Sequence, residues 1–217
     1  MKRWLLWLVV IVAVFVIGWY YFFYRGSTKP SNSQQTASSD TTAQNAPVPA
    51  KITWQTVERP QAGIKLDMPA DAREFEVPSY NRNGSAEQID MLSSNPDPTT
   101  TYAMAWEDNP PIARVNRDNP DRTLQAARDG MLERTQTFLI TQSQSTVGGF
   151  PALDLTAKNA GGGILDARLI YVRGRLYALI VTLPSLSARR QQDVDRFYNS
   201  FTPELQGPGA KPADTNG

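Results

Sequence analysis

The most concentrated group of polar side chains lies between Glu107 and Arg122, where the triplet Asp-Asn-Pro occurs twice. Their carboxylate and amide oxygens are the ligand types that calcium prefers. The segment has no twelve-residue calcium loop with a central glycine and a terminal Glu, and Arg114, Arg117 and Arg122 would repel a cation. We therefore interpret it as helix caps and turns, with partner binding as the functional alternative, rather than as a metal site.

Arg189 and Arg196 of the last predicted helix, with Arg190 in its first turn, are further candidates for contact with a partner or with anionic headgroups. Charged residues on the outer face of an amphipathic helix are more often simply solvated. The candidate partner-binding residues are polar side chains from these two places: Glu107, Asp108, Asn109, Arg117, Asp118, Arg122, Arg189 and Arg190.

Catalysis has few residue types to draw on, because the chain contains neither cysteine nor histidine. Thiolate nucleophiles, histidine zinc sites and Ser-His-Asp triads are excluded. Asp90, Asp154 and Asp166 lie in predicted strands and could converge in one cleft if the strand register brought them to one face. Gly161–Gly163 lacks the following Lys and Ser/Thr of a phosphate loop. We expect a non-enzyme without cofactor or metal, with a carboxylate-dependent hydrolase as an alternative.

The elements that must position these residues are clearest near the end of the chain. Ile164 to Val172 and Leu176 to Leu183 are apolar runs on either side of a glycine, which predicts a β-hairpin. Nearly every residue of the second run is apolar, so we expect a central strand that is covered on both faces. The spacing then changes to 3.6, with Val194, Phe197, Tyr198 and Phe201 on one face of a helix that packs on the sheet.

Earlier segments predict more strands and one more helix. Alternating or apolar runs with turn residues between them indicate strands at 52–57, 63–69, 87–92, 101–107, 138–147 and 150–158. Asn119 and Pro120 provide the cap and the first-turn proline of a helix that ends near Thr137. The predicted fold class is α+β: a single antiparallel sheet flanked by helices, behind one N-terminal transmembrane helix.

The transmembrane prediction rests on 21 consecutive uncharged residues from Trp4 to Tyr24. As a helix they would span about 31 Å, close to the thickness of bilayer hydrocarbon. The run ends in six bulky aromatic residues, Trp19 to Tyr24, which suit a membrane interface and not a signal-peptidase site. Lys2 and Arg3 favour an N-terminus in the cytoplasm, so the rest of the chain is expected outside it.

Four parts follow from these observations. Residues 1–25 are predicted as a cytoplasmic stub and membrane span, and 26–50 as a disordered linker of Ser, Thr, Gln and Ala. Residues 51–205 form the predicted globular domain, and 206–217 a disordered tail. The globular part carries 17 Lys and Arg against 19 Asp and Glu, so it lacks the positive field of a nucleic-acid binder.

The globular part resembles the PsbP-like superfamily, which includes bacterial envelope proteins of the DcrB type. The resemblance rests on Gly63 to Pro69, on the mid-chain helix, on Arg173 to Tyr177, and on the closing Arg196 to Phe201. It implies an α/β/α sandwich, an antiparallel sheet with helices on both faces. It also implies binding of other proteins, without shared catalytic residues.

These observations together predict a membrane-anchored, non-catalytic binding or assembly module of the bacterial envelope. Residues 4–24 would lie in the lipid bilayer of the cytoplasmic membrane, and the globular domain would meet a protein partner on its outer side. The alternative is a bitopic subunit of a secretion or envelope machine.

Overall fold

The computed structural model describes residues 51–80, 86–116 and 119–203. The chain divides into two units, Met1–Val48 and Pro49–Gly217, and all described residues belong to the second. The described part is mostly β-structure, with ten strands in two sheets and three short helices. The strands are β1 (Trp54–Arg59), β2 (Ile64–Pro69), β3 (Arg73–Tyr80), β4 (Ala86–Asp97), β5 (Thr100–Asp108), β6 (Thr137–Val147), β7 (Phe150–Asn159), β8 (Ile164–Val172), β9 (Arg175–Leu183) and β10 (Thr202–Pro203).

Seven strands form the larger sheet, in the order β3-β4-β5-β9-β8-β7-β6, and every neighbouring pair is antiparallel. The predicted hairpin is confirmed, because β8 and β9 pair from Ile164–Leu183 to Val172–Arg175. Strand β9 lies in the middle of this sheet. Its Leu179 and Val181 are fully buried on one face, and Ala178 and Ile180 contact the core on the other. The apolar run therefore did indicate a strand covered on both sides.

A second, three-stranded sheet has the order β1-β2-β10. Ile64, Leu66 and Met68 of β2 alternate towards the core and are fully buried. They pack with Leu179 and Val181 of the larger sheet in one hydrophobic core. The smaller sheet therefore lies over one face of the larger one.

The three α-helices of the described part are α1 (Pro111–Asn116), α2 (Pro120–Thr135) and α3 (Gln191–Ser200). Helix α2 begins as predicted, since the Asn119 side chain accepts a hydrogen bond from the Arg122 backbone N–H at 3.0 Å. Its Leu124 is buried in a second core with Leu153 and Leu155 of β7. Helices α1 and α2 thus cover the face of the larger sheet opposite the three-stranded sheet.

Helix α3 buries the predicted stripe. Val194, Phe197, Tyr198 and Phe201 are each at most 8% exposed, and all four belong to the first core. The Phe197 ring contacts Tyr102 of β5 edge to face, with 5.4 Å between ring centroids.

The predicted fold class is wrong. Two sheets are present instead of one, and the cover on one face of the larger sheet is mainly a second sheet instead of a helical layer. The physical reason is that alternation in 54–59 and 64–69 indicates half-buried strands but not the sheet to which they belong. Strand β3 and helix α1 were not predicted. No helix within the described ranges is long and apolar enough to cross a membrane. Residues 4–24, where that helix was predicted, lie outside the described residues.

Candidate functional site

The predicted partner-binding residues that the structure describes lie in two separate places. Asp108, at the end of β5, pairs with Arg175, the first residue of β9. Arg189 pairs instead with Asp166, which lies opposite Val181 on β9. Arg175 and Val181 are six residues apart, which is about 20 Å at 3.3 Å per residue of strand. The acidic segment and the arginines before α3 therefore lie at opposite ends of the larger sheet.

Asp108 and Asn109 organise the turn between β8 and β9. Arg175, only 4% exposed, donates hydrogen bonds from Nε and Nη2 to the two carboxylate oxygens of Asp108, the second at 2.7 Å. These bonds raise the pKa of Arg175 above its ordinary value. The Asn109 backbone N–H donates to the Gly174 carbonyl at 2.7 Å, so both residues hold a hairpin end in place.

The remaining predicted residues have varied local roles. The Arg122 N–H is capped by Asn119, and Arg190 pairs with Asp193 at 2.9 Å. Glu107 is half-buried at the end of β5. Arg117 and Asp118 lie outside the described residues. The structure thus brings together Asp108 and Asn109, and Arg189 and Arg190, but not the two pairs.

A polar cluster joins α3 to the larger sheet; we call it the buried polar cluster and define it as the buried Asp166 and Tyr198 with the partly buried Asp154, Arg168 and Arg189. Arg168 donates from Nε to Asp154 at 2.6 Å, and Arg189 lies 3.2 Å from Asp166. Burial, reinforced by the charge of Asp166, raises the pKa of Tyr198 well above its ordinary value. An arginine pairs with each carboxylate, and the Arg168 guanidinium lies 5.0 Å from the centroid of the Tyr198 ring, so the cluster ties α3 to β7 and β8.

The three carboxylates of the hydrolase alternative do not converge. Asp154 and Asp166 lie on neighbouring strands, β7 and β8, within the buried polar cluster. Asp90 lies on β4, opposite Trp106, and three strand spacings separate β4 from β8. That is about 14 Å across the sheet. No group of three or more acidic side chains that could hold a metal ion occurs among the residues described.

The most unusual surface is the outer edge of β6. This eleven-residue strand ends the seven-stranded sheet, and most of its residues are exposed. Phe138 is 71% exposed, Leu139 39% and Ile140 47%. The strand has no charged residue and no proline. It therefore lacks the charges and prolines by which proteins usually protect an edge from pairing, although it has one bulge at Ile140.

The opposite edge of the same sheet is protected. Strand β3 carries Arg73, Glu74 and Glu76 along its length and Pro78 near its end. Charges and a proline on an edge strand oppose the addition of another strand. A further strand can therefore add to the sheet more easily at β6 than at β3.

The turn after β6 determines which backbone groups face outwards. Gly148 and Gly149 both have positive φ, at 58° and 83°, in a two-residue turn between the paired Val147 and Phe150. The backbone N–H and C=O groups of Val147 therefore point towards β7. Along an antiparallel strand, these groups point to the two sides of the strand in alternate residues. The backbone N–H and C=O groups of Gln142, Gln144 and Thr146 consequently point away from the sheet.

A shallow cleft of about 120 Å³ lies between this edge and the start of α2. Gln142 and Gln144 line it from the strand, and Asp121 and Gln125 from the helix. Arg128 of α2 donates from Nη1 to the Gln142 side chain at 2.5 Å. A segment added to β6 would thus have its backbone on the edge and alternate side chains in this cleft.

The residue pattern of 138–147 predicts a strand but does not predict that this strand lies at the edge of a sheet. The available signal was the absence of any ionisable residue from Thr135 to Leu153, together with the apolar triplet 138–140. Both are atypical of a solvated edge. These two features indicate an unprotected edge only when β6 is known to be an edge strand. The order of the strands could not be obtained from these residues alone.

No protein-family model matches the chain, and no curated protein matches it. Solved structures similar to it include the solution structure of a cyanobacterial PsbP, CyanoP, from Synechocystis sp. PCC 6803. That likeness has a TM-score of 0.44 and 13% identity, and covers 74% of this chain and 98% of that one. A second similar structure is a protein of unknown function from Pseudomonas aeruginosa, described as a putative regulator. It has a TM-score of 0.34 and 14% identity, and the likeness covers 65% of this chain and 89% of that one.

The PsbP resemblance drawn from the sequence is therefore matched by a solved PsbP structure, as a loose likeness of fold. With identities of 13 to 14% and TM-scores below 0.5, these two likenesses say nothing about activity, partner or location. The DcrB type and the membrane anchor remain predictions.

Proposed function

We propose that this chain is a non-catalytic binding module that takes up an extended protein segment on the outer edge of β6. The observation that carries the proposal is the contrast between the two edges of the seven-stranded sheet. One bears three charges and a proline, and the other is a long, exposed strand with neither. An unprotected edge of this length is a template for strand addition.

Strand addition would use the backbone for affinity and the side chains for selection. The outward N–H and C=O groups of Gln142, Gln144 and Thr146 would form the new ladder. Alternate side chains of the bound segment would enter the cleft beside α2, which is lined by three glutamines, Asp121, Ser143 and three apolar residues. Phe138 would give an apolar contact at one end, since its ring is largely exposed.

We further propose that the module works outside the cytoplasm, held to the cytoplasmic membrane by residues 4–24 through the linker 26–50. The support is the uncharged run from Trp4 to Tyr24 and the basic pair Lys2 and Arg3. Its partner would then also lie in the envelope. A subunit of a secretion or envelope machine would use the same edge to join its assembly.

Site-specific photocrosslinking in intact cells tests the edge. The full-length chain carries a photoreactive amino acid at Phe138, Gln142 or Gln144 on β6, or at Glu76 on the protected edge as the matched control. We expect a discrete protein adduct from the β6 positions and none from Glu76. Adducts that are absent from β6, or equally strong from both edges, would refute the proposal.

A further inference from the structure

We propose that the segment bound by β6 is the β6 strand of a second copy of this chain. An antiparallel pair of the two edges would join two seven-stranded sheets into one continuous sheet. This inference rests on the proposed function, because it names the occupant of the same edge.

Charge favours a second copy as the occupant. In a two-fold pair each strand meets its own sequence, so any charge near the axis meets a like charge, which destabilises the pairing. Strand β6 has no ionisable residue, and neither neighbouring turn residue, Gln136 or Gly148, has one. Self-pairing of β6 therefore brings no like charges of the two strands together, and one charge beside the strand is that of Arg128 in α2, which contacts Gln142.

The difference between the two edges predicts a closed dimer and not a fibre. A β6 edge that added to β3 of the next copy would leave another β6 edge free, and growth would continue. Glu74, Glu76 and Pro78 of β3 oppose that contact. Among contacts between the two edges of the described seven-stranded sheet, only β6–β6 pairs the unprotected edge of each copy.

Exposed apolar side chains on β6 would be buried in the dimer, in addition to the backbone hydrogen bonds. Of the six large exposed apolar side chains in the described ranges, three are consecutive at the start of β6: Phe138, Leu139 and Ile140. An antiparallel pair lays each apolar triplet beside the partner strand. Covering them removes apolar surface from water at both ends of the contact.

The chain after Pro203 is the main competing occupant. Pro203 lies near the turn after β6, since its Cγ is 3.4 Å from the position of a Cβ added to Gly148. Residues 204–217 could therefore reach the edge. Their sequence contains three glycines and two prolines, residue types that are depleted in strands.

Disulfide trapping tests the inference directly, because the full-length chain has no cysteine of its own. Single cysteines replace each residue from Thr141 to Ser145 in turn, and Glu76→Cys is the control on β3. The backbone N–H and C=O groups of Thr141, Ser143 and Ser145 point towards β7. These residues would therefore occupy the non-hydrogen-bonded positions of a β6–β6 ladder. At such positions the Cα atoms approach to about 4.5 Å, within the reach of a disulfide.

We expect mild oxidation to give a band of twice the chain's mass on a non-reducing gel for one or two neighbouring β6 positions. The Glu76→Cys chain should stay monomeric. Adding Gln144→Pro, which removes one outward N–H, should abolish the dimer band, and Gln144→Thr should preserve it.

The outcomes separate this inference from the proposed function. If no β6 cysteine is trapped while photocrosslinking from β6 captures a different protein, the proposal of a second copy is wrong. The proposal that β6 is a binding edge is then still supported. If neither experiment gives a product from β6, both are wrong. Trapping that begins only after residues 204–217 are deleted would overturn the second copy, because the tail would then be the occupant.

Discussion

Arg196 of α3 donates two hydrogen bonds to one carboxylate oxygen of Asp67 in β2, from Nε at 2.9 Å and from Nη2 at 2.8 Å. Its guanidinium also lies 5.0 Å from the ring centroid of Trp54 in β1. The Asp67 backbone N–H donates to Ser200 Oγ at 2.8 Å. Residues that would be solvated on a lone helix thus fasten α3 to the three-stranded sheet.

The first prediction concerns this contact. Arg196→Ala should cost about 1 kcal/mol, the sum of a half-exposed ion pair and a cation–π contact. A double-mutant cycle with Asp67→Asn should give a coupling of about 0.5–1 kcal/mol in denaturant unfolding of residues 50–205. Gln192→Ala, exposed on the same helix, should stay within about 0.5 kcal/mol. A coupling of zero would mean that the ion pair does not persist in solution.

The second prediction is the pH dependence of the same pair. Burial alone would raise the pKa of Asp67, but hydrogen bonds from Thr56 and Arg196 and the charge of Arg196 hold it below its ordinary value of 3.8. A lowered folded-state pKa stabilises the fold above the unfolded pKa, and this stabilisation is lost as pH falls through the folded value. Between about pH 5 and 3 the wild-type domain should therefore lose more stability than Asp67→Asn. If urea titrations showed the same loss of unfolding free energy for the wild type and for Asp67→Asn, the assigned Asp67–Arg196 pair would be contradicted.

The third prediction concerns the core beneath α3. Phe197 is fully buried against Tyr102, so Phe197→Ala should cost about 3–5 kcal/mol. Phe138→Ala removes an equal ring that is 71% exposed, and it should change the stability of the monomer by less than about 0.5 kcal/mol. Equal losses for the two variants in chemical denaturation would place Phe138 in the core as well.

The fourth prediction is topological. If Lys2 and Arg3 hold the N-terminus in the cytoplasm, an alkaline phosphatase reporter fused after Gly217 should be active, since it folds only outside the cytoplasm. A cytoplasmic reporter at the same position should be inactive. The reverse pattern would exclude envelope partners.

Local signals in the sequence were sufficient for several elements. Asn119 and Pro120 specify the start of α2 through a cap and a fixed φ, and both act within one turn of the helix. The stripe from Val194 to Phe201 fixes the buried face of α3 in the same way. These features depend on neighbours in the chain, so the sequence analysis obtained them correctly.

Features that depend on distant pairing could not be obtained in this way. Ile64 and Leu66 would alternate identically in either sheet, so the second sheet was missed. Asp166 in a predicted strand gave no sign that Arg189 would neutralise it. The edge position of β6 follows only from the order of all seven strands.

The most direct test of the central claim, that the β6 edge binds an extended segment, combines a photoreactive residue at Phe138 with changes at Gln144 in the full-length chain. Gln144→Pro removes an outward N–H that no neighbouring strand uses, and proline is tolerated on an edge where its missing N–H would face solvent. The thermal melt should therefore hardly change. We predict that Gln144→Pro abolishes the Phe138 adduct in intact cells and that Gln144→Thr retains it. An adduct that persists undiminished with Gln144→Pro would contradict the account, because binding would then not depend on the backbone of this edge.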